Sequence, residues 1–226
     1  MKIQRYHYLF LMLFLALGLI LSSCSKDGEA QPEETETPSQ IPGLGNAGGI
    51  PEGEPFSLPS GVHIAEEIRG YICDTTLTRG SGYYVTVCAG FVNDNNEDII
   101  LSLPAGLLLI AQDTSYQNGL LLQGTSIILK KNTVTRCTLN TFCANSSRSS
   151  SSRSCLYSMG LVTKSSLIGE LITLLQGKLI NAEDYGSDVD GYMSAAGIIQ
   201  SALWSITDGE GLQEYERSSI AALPNK

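Results

Sequence analysis

Apolar residues beyond position 60 fall into short runs separated by turn residues, a pattern typical of β-strands. The clearest runs cover 83–91, 98–103, 106–112, 119–122 and 126–129. Polar turn sequences at 94–97 and 116–119 separate several of them. Together with segments 63–73 and 134–142, these runs predict six or seven strands, the number that a small β-sandwich or barrel requires.

The period of the apolar positions becomes helical after residue 143. A first helix is predicted after the candidate caps Ser165 and Ser166. Its apolar face is formed by Leu167, Ile168, Leu171, Leu174 and Leu175. A second helix is expected from about 194 to 206, and a shorter one from about 212 to 222.

One globular domain is expected over 60–226, which is long enough to bury a core of its own. It should be mainly β over 60–142 and mainly α over 143–226. The predicted fold class is therefore α+β, with an N-terminal β-sandwich or barrel followed by two or three helices.

The amino terminus has the order of a secretory signal, with basic residues, an apolar stretch and then small residues. Lys2 and Arg5 precede the apolar stretch 8–21, and two serines follow it. The stretch is shorter than the roughly 20 apolar residues of a membrane-spanning helix. Residues 1–23 are therefore expected to be a removable signal peptide.

The sequence Leu21-Ser22-Ser23-Cys24 resembles the lipobox of bacterial lipoproteins, whose cysteine becomes the lipidated first residue of the mature chain. The Ser25-Lys26-Asp27 sequence and Glu29 further resemble the start of surface-exposed lipoproteins of the Bacteroidota. The resemblance implies a lipid anchor at Cys24 in the outer membrane, with the domain on the cell surface. The periplasmic face of the membrane is the alternative.

Residues 24–59 comprise the lipid-anchored cysteine and, after it, a segment rich in Pro, Glu, Gly and Thr. A segment with so few large apolar residues buries too little surface to offset the entropy lost on ordering. We therefore expect a disordered tether between the membrane and the domain.

Five cysteines remain besides Cys24, an odd number that leaves one of them unpaired in an oxidising compartment. Cys73 and Cys88 lie on two predicted strands joined by a Gly-rich turn and are expected to form a disulfide. Cys137 and Cys155 are expected to pair across the serine-rich segment, which leaves Cys143.

Two short segments carry a specific resemblance. Phe142-Cys143-Ala144-Asn145 and the segment 199–208, which contains Gln200, Ala202 and Trp204, resemble motifs of the thioester domains of bacterial surface adhesins. Two positions depart from the family's preferences, with Ile199 in place of Thr and Leu203 in place of Ile or Val. The resemblance implies that the Cys143 sulfur is joined to the Gln200 carbonyl with loss of ammonia. It also implies that Trp204 covers the bond, with Phe142, Asn145 and Ala202 around it.

The residue types suit this chemistry. A thiolate is a good nucleophile and later a good leaving group, whereas an amide must lose ammonia to become a reactive acyl donor. On a helix, Gln200 shares a face with Leu203 and Trp204 and points to the core, where an unpaired amide would be costly. Gln200 therefore needs a partner, which is either Cys143 or, in the alternative interpretation, a loop carbonyl.

Other chemistry has little support in the sequence. No metal or cofactor is expected, because the cysteines form no CxxC pair and His63 is the one histidine beyond the signal peptide. Because this single histidine has no serine motif around it, no Ser-His-Asp set is recognisable, and we expect no enzyme. The chain has 14 Lys and Arg against 23 Asp and Glu, so nucleic acid is not an expected partner.

The function that we expect is a lipid-anchored surface module for adhesion or ligand binding. Its sharper form adds a Cys143–Gln200 thioester that attaches the chain covalently to an unknown surface protein or glycan. The alternative is a structural or accessory lipoprotein of the cell envelope without a reactive bond.

Overall fold

The computed structural model describes residues 36–226. The predicted signal peptide and the lipidation site at Cys24 lie outside the described residues. The strands are β1 (Gly53–Pro55), β2 (Val62–Ile64), β3 (Ile68–Arg69), β4 (Thr78–Gly80), β5 (Val85–Asn93), β6 (Ile99–Leu103), β7 (Leu107–Ala111), β8 (Gly119–Leu120), β9 (Thr125–Leu129), β10 (Thr133–Cys143) and β11 (Leu156–Thr163). The helices are α1 (Ser166–Leu175), α2 (Ala182–Tyr185), α3 (Val189–Thr207) and α4 (Glu214–Ala221).

Six strands close into an antiparallel barrel in the cyclic order β5, β3, β11, β7, β8, β10 and back to β5. The longest ladder closes the barrel, with β10 pairing β5 from Thr133↔Asn93 to Thr141↔Val85. Closure leaves no free edge within the ring. The β part is therefore a barrel, which was one of the two predicted architectures.

The remaining strands add to the outside of the barrel. β2 extends the sheet from β5, β1 pairs with β11, and β4 runs parallel to β10. β6 and β9 form a separate two-stranded ribbon. The helices follow the barrel strands in the chain, so the α+β organisation is confirmed in outline.

Alternation along β10 separates two apolar cores. Cys137, Leu139 and Cys143 belong to the cluster that fills the barrel. Phe142 belongs to the second cluster, which also contains buried residues of the helices. The carboxyl end of β10 therefore contacts the barrel interior with one side chain and the helical layer with the next.

The predicted helices correspond to α1, α3 and α4, although α3 begins earlier than expected. The side chain of Ser165 accepts a hydrogen bond from the Ile168 N–H and caps α1, as predicted. The region 143–226 is less purely helical than expected, because it contains β11. Among the described residues, no helix is both long and apolar enough to cross a membrane.

The domain begins earlier than the predicted boundary at residue 60. Ile41 and Leu44 are buried in the core between barrel and helices. The Glu36 carboxylate accepts hydrogen bonds from the Ser165 hydroxyl at 2.8 Å and from the Leu167 N–H at 3.1 Å. The expectation of a disordered tether up to residue 59 is therefore wrong for 36–59, because these isolated apolar and acidic residues bind the domain.

The cysteines follow the prediction in one pair and not in the other. Cys73 and Cys88 form a disulfide across a Cα–Cα distance of 4.9 Å. Cys137 and Cys155 are free buried thiols, so the predicted bridge between them is wrong. Cys137 lies within β10 and Cys155 just before β11, and two strands separate β10 from β11 in either direction around the barrel.

Removing the disulfide by Cys73→Ala/Cys88→Ala is expected to lower the free energy of unfolding by about 3 kcal/mol, the loop-closure value for a loop of this length. Urea denaturation of the variant and the wild type measures the difference. A reductant should shift the wild-type midpoint towards that of the variant and leave the variant unchanged. Equal midpoints for wild type and variant would contradict the prediction.

Candidate functional site

The two residues singled out by the sequence meet at the junction of β10 and α3. The Cys143 N–H donates to Gln200 Oε1 at 2.8 Å, and Gln200 Nε2 donates to the Cys143 carbonyl at 2.9 Å. Cys143 is fully buried and Gln200 is 2% exposed. The carboxamide therefore lies against the backbone of Cys143, although 57 positions separate the two residues.

The end of the β10–β5 ladder explains why this backbone is open to a side chain. The pairing with β5 reaches Thr141, opposite Val85, whereas β10 continues to Cys143 on its β8 side. The backbone groups of Cys143 thus extend past the last β5 partner. Gln200 takes the place of the missing strand neighbour and satisfies both groups.

The sulfur of Cys143 is an unpaired thiol in a dry environment. Burial raises the pKa of Cys143 to about 11. The Asn145 N–H, which donates to the sulfur at 3.4 Å, and the Trp204 indole N–H act in the opposite direction and lower it. The thiol is therefore protonated at neutral pH and faces two groups that would stabilise negative charge on sulfur.

An aromatic cluster lies beside this sulfur. Trp204 packs against the barrel core, and its ring centroid lies 5.2 Å from that of Tyr84. Tyr83 extends the cluster, with its ring 4.5 Å from Tyr84. Trp204 was predicted as a cover, but the two tyrosines were not, because they lie far away in the sequence and carry no motif.

Asn145 holds the chain immediately after the cysteine. Its Nδ2 donates to the carbonyls of Gly43 at 3.2 Å and Gly45 at 3.0 Å, and its Oδ1 accepts from the Asn118 N–H at 3.0 Å. The residue is fully buried. Asn145 therefore connects β10, the segment before β8 and the N-terminal segment of the domain.

Gly45 completes this connection. Its N–H donates to the Ala144 carbonyl at 2.7 Å. Its φ is +57°, and a Cβ at this position would lie 1.8 Å from the Thr207 carbonyl oxygen. A residue with a side chain would therefore push the N-terminal segment away from the end of α3.

Phe142 and Ala202 occupy the other side of the junction. Both are fully buried in the core between the barrel and the helices, whereas Cys143 faces the barrel interior. They set the distance between β10 and α3. Both were predicted as site residues, and both pack behind the Cys143–Gln200 contact.

The serine-rich segment after Asn145 forms an ordered rim beside the aromatic cluster. Ser151 Oγ accepts from the Thr86 N–H at 3.0 Å, and the Ser151 N–H donates to the Tyr84 carbonyl. Gln117 Nε2 donates to the Arg148 carbonyl at 2.9 Å. The rim therefore holds the Arg148 backbone, and the positive charge of Arg148 lowers the pKa of Cys143.

Metal ligation and histidine chemistry are not evident over 36–226. No group of three or more His, Cys, Asp or Glu side chains in that range is arranged to hold a metal ion. His63 lies on the surface, with Nδ1 3.2 Å from Asp94 Oδ2.

No protein-family model, curated protein or solved structure matches the chain.

Proposed function

We propose that the chain is a surface module for adhesion or ligand binding, and that Cys143 and Gln200 form an internal thioester for covalent attachment to a partner. The observation that carries the proposal is the contact of the Gln200 carboxamide with both backbone groups of Cys143. It holds the side chain that would supply the acyl group against the residue that would supply the thiol.

The proposed reaction is balanced by the loss of ammonia. The Cys143 sulfur attacks Gln200 Cδ, the Cδ–Nε2 bond breaks, and the thiol proton leaves with the amide nitrogen as ammonia. A partner amine or hydroxyl then attacks the same carbon, which forms an amide or ester and regenerates the Cys143 thiol. The chain remains attached to its partner, so the event is single and differs from enzymatic turnover.

Burial supports the persistence of such a bond before a partner arrives. Cys143 is inaccessible to solvent, and Trp204 with Tyr84 provides apolar cover beside it. Exclusion of water slows hydrolysis of a reactive acyl group. The partner's nucleophile must then reach the bond at the rim formed by the aromatic cluster and the serine-rich segment.

The proposed location follows from the amino-terminal motif. We propose that Cys24 carries the lipid and anchors the chain in the outer membrane with the domain exposed at the cell surface. A partner at that surface is a protein or a glycan with an accessible amine or hydroxyl.

Peptide mass mapping of the full-length chain before and after treatment with methylamine tests the proposal. The untreated chain should lack the mass of one ammonia in a linked pair of peptides that contain Cys143 and Gln200. Methylamine should separate them, add itself to Gln200 and expose the Cys143 thiol to alkylation. An unmodified Gln200 after treatment, with Cys143 already free to alkylate in the unfolded untreated chain, would overturn the proposal.

Cys137→Ala is the matched control for Cys143→Ala. Cys137 is also a free, fully buried thiol of β10 that faces the barrel interior. Loss of the methylamine adduct in Cys143→Ala but not in Cys137→Ala would assign the reaction to Cys143. Equal loss in both variants would indicate a general effect on folding.

A structural or accessory lipoprotein is the second candidate. It is favoured by the same two hydrogen bonds, because they satisfy the Gln200 amide without any covalent bond. It predicts an unmodified Gln200 in every sample.

A further inference from the structure

We infer that a cavity beside the start of α3 binds a neutral sugar residue of a glycan. The inference rests on the ligand-binding part of the proposed function, because it names the class of ligand. It does not require the thioester, and the residues that carry it take no part in the Cys143–Gln200 contact.

The cavity lies between β4, α2 and the first turn of α3. Its volume is about 470 Å³. Sites for small molecules usually have volumes of about 300–1,000 Å³, so the cavity is large enough for a small sugar. β4 contributes Thr78 and Arg79 to its lining, and the helical side contributes Tyr185, Asp188 and Tyr192.

Two tyrosine rings in the lining are held in fixed orientations. The Tyr185 hydroxyl donates to the Leu179 carbonyl at 2.8 Å, and the Tyr192 hydroxyl donates to the Gly82 carbonyl at 2.5 Å. The two rings pack edge to face, with 5.7 Å between their centroids. The C–H face of a sugar ring is apolar and packs well on an aromatic ring. Rings that are already fixed lose little entropy when a ligand binds.

Polar groups with unused hydrogen-bonding capacity line the same cavity. Arg79 donates through Nε to the Ser126 carbonyl at 3.0 Å and through Nη1 to the Thr78 carbonyl at 2.9 Å. Asp188 caps α3 by accepting from the Gly191 N–H at 3.0 Å through Oδ1. Neither Arg79 Nη2 nor Asp188 Oδ2 has a hydrogen-bond partner within 36–226. A sugar hydroxyl both donates and accepts, so it can bind to each of them.

Anions and metal ions fit this cavity less well. Two carboxylates, Glu183 and Asp188, line it against the one guanidinium of Arg79, so an anionic ligand would meet an excess of negative charge. The part of the chain that the structure describes has no set of three side chains suited to a metal ion. A neutral ligand rich in hydroxyl groups is the remaining match.

A peptide added as a strand is also disfavoured, although β4 is the last strand of its sheet. The outer backbone groups of β4 are already bonded to side chains. The Gly80 N–H donates to Glu183 Oε2 at 3.0 Å, and the Thr78 carbonyl accepts from Arg79. An extended peptide would have to displace both bonds before it could pair with this edge.

The cavity is connected to the reactive junction by α3 and by the chain before β5. Tyr192 and Gln200 are eight residues apart on α3, a distance of about 12 Å along the helix axis. Gly82, which binds the Tyr192 hydroxyl, directly precedes Tyr83 and Tyr84 of the aromatic cluster. Binding in the cavity would therefore hold a glycan close to the rim at which the partner's nucleophile is proposed to enter.

The test measures binding of the full-length chain to an array of glycans. The array presents neutral glycans that end in glucose, galactose, mannose or N-acetylglucosamine, beside sialylated and sulfated glycans. The chain is first treated with methylamine, which opens any thioester, so that reversible binding alone is measured. We expect binding to neutral glycans and none to the anionic ones. The dissociation constant of the tightest neutral glycan is then determined by calorimetry.

Variants of Tyr185 test the contact of the sugar with the ring. Tyr185→Leu removes the ring and should raise the dissociation constant about tenfold, the upper range for an aromatic contact. Tyr185→Phe loses only the hydrogen bond to Leu179 and should bind nearly as well as wild type. Tyr215→Leu is the matched control, because Tyr215 is a 65% exposed tyrosine of α4 outside the cavity, and it should bind like wild type.

Asp188→Ser tests the polar contact. Serine is also a good helix cap, so the variant keeps the start of α3 and removes the carboxylate. It should raise the dissociation constant by about tenfold, the effect of one hydrogen bond to a charged group. Thermal unfolding of each variant identifies any loss of fold.

The outcomes separate the inference from the thioester. A chain that binds no neutral glycan, that prefers anionic glycans, or that binds equally well as folded Tyr185→Leu and Asp188→Ser overturns this inference. The ammonia deficit of the untreated chain decides the thioester independently. A deficit without glycan binding overturns this inference alone, whereas glycan binding without a deficit supports it and overturns the thioester. The absence of both overturns both.

Discussion

Gln200→Glu is expected to abolish labelling of the full-length chain by a primary-amine probe, although the two side chains have nearly the same shape. A carboxylate is not an acyl donor without activation, and it cannot donate to the Cys143 carbonyl as Gln200 Nε2 does. Labelling that survives denaturation in detergent is measured by gel fluorescence. Wild-type labelling should fall to background in the variant.

The same variant should show a pH-dependent stability. Burial raises the pKa of a carboxyl group above its unfolded value, because the charged form is desolvated. The neutral form therefore maintains the fold at low pH, and stability is lost as the pH rises above the unfolded pKa of a glutamate. Urea midpoints that fall from acidic to neutral pH in Gln200→Glu, but not in wild type, would show this effect.

Gln123→Glu provides the matched control. Gln123 Nε2 donates to the carbonyls of Leu175 at 3.2 Å and Lys178 at 3.1 Å, so it is also a glutamine that binds backbone carbonyls. The control should lose stability and keep its labelling. Loss of labelling in Gln123→Glu, or retention in Gln200→Glu, would contradict a reactive role for Gln200.

Asn145→Ala is expected to lower the free energy of unfolding by about 3 kcal/mol, because it removes hydrogen bonds and leaves buried backbone groups unpaired. The Asn118 N–H and the Gly45 carbonyl lose their Asn145 partners, and the domain's N-terminal segment loses a contact to β10. Urea denaturation measures the change.

Asn140→Ala is the comparison for this effect. Asn140 lies within β10, close to Asn145 in the chain, but it is half-buried and its side chain bonds to the side chains of Thr86 and Tyr192. Its loss should cost about 1 kcal/mol. A smaller effect for Asn145→Ala than for Asn140→Ala would contradict the connecting role assigned to Asn145.

Local patterns predicted local structure well. The spacing of Leu167, Leu171 and Leu175 and the serine cap indicated α1, and these signals depend on neighbouring residues alone. Closure of the barrel depends on which distant strands pair, as β10 does with β5, and the apolar runs carry no such information. The choice between sandwich and barrel therefore required the structure.

The candidate site was predictable in part for the same reason. Cys143 and Gln200 belong to two motifs that can be recognised separately, but their backbone contact depends on where the β5 ladder ends. Tyr84, just before β5, lies against Trp204 of α3, and this contact likewise depends on how distant elements pack. Composition gave the wrong prediction over 36–59, because a Pro- and Gly-rich average hides single buried residues such as Leu44.

The attachment of the N-terminal segment has a mechanical consequence. For a chain anchored at Cys24 as proposed, the span from Cys24 to Glu36 reaches at most about 40 Å at full extension. Tension between the membrane and a bound partner would first act on the bonds of Glu36 to α1. It would then reach Gly45, which is bonded to Ala144 and Asn145 beside Cys143. Pulling on the anchor would therefore load the reactive junction itself.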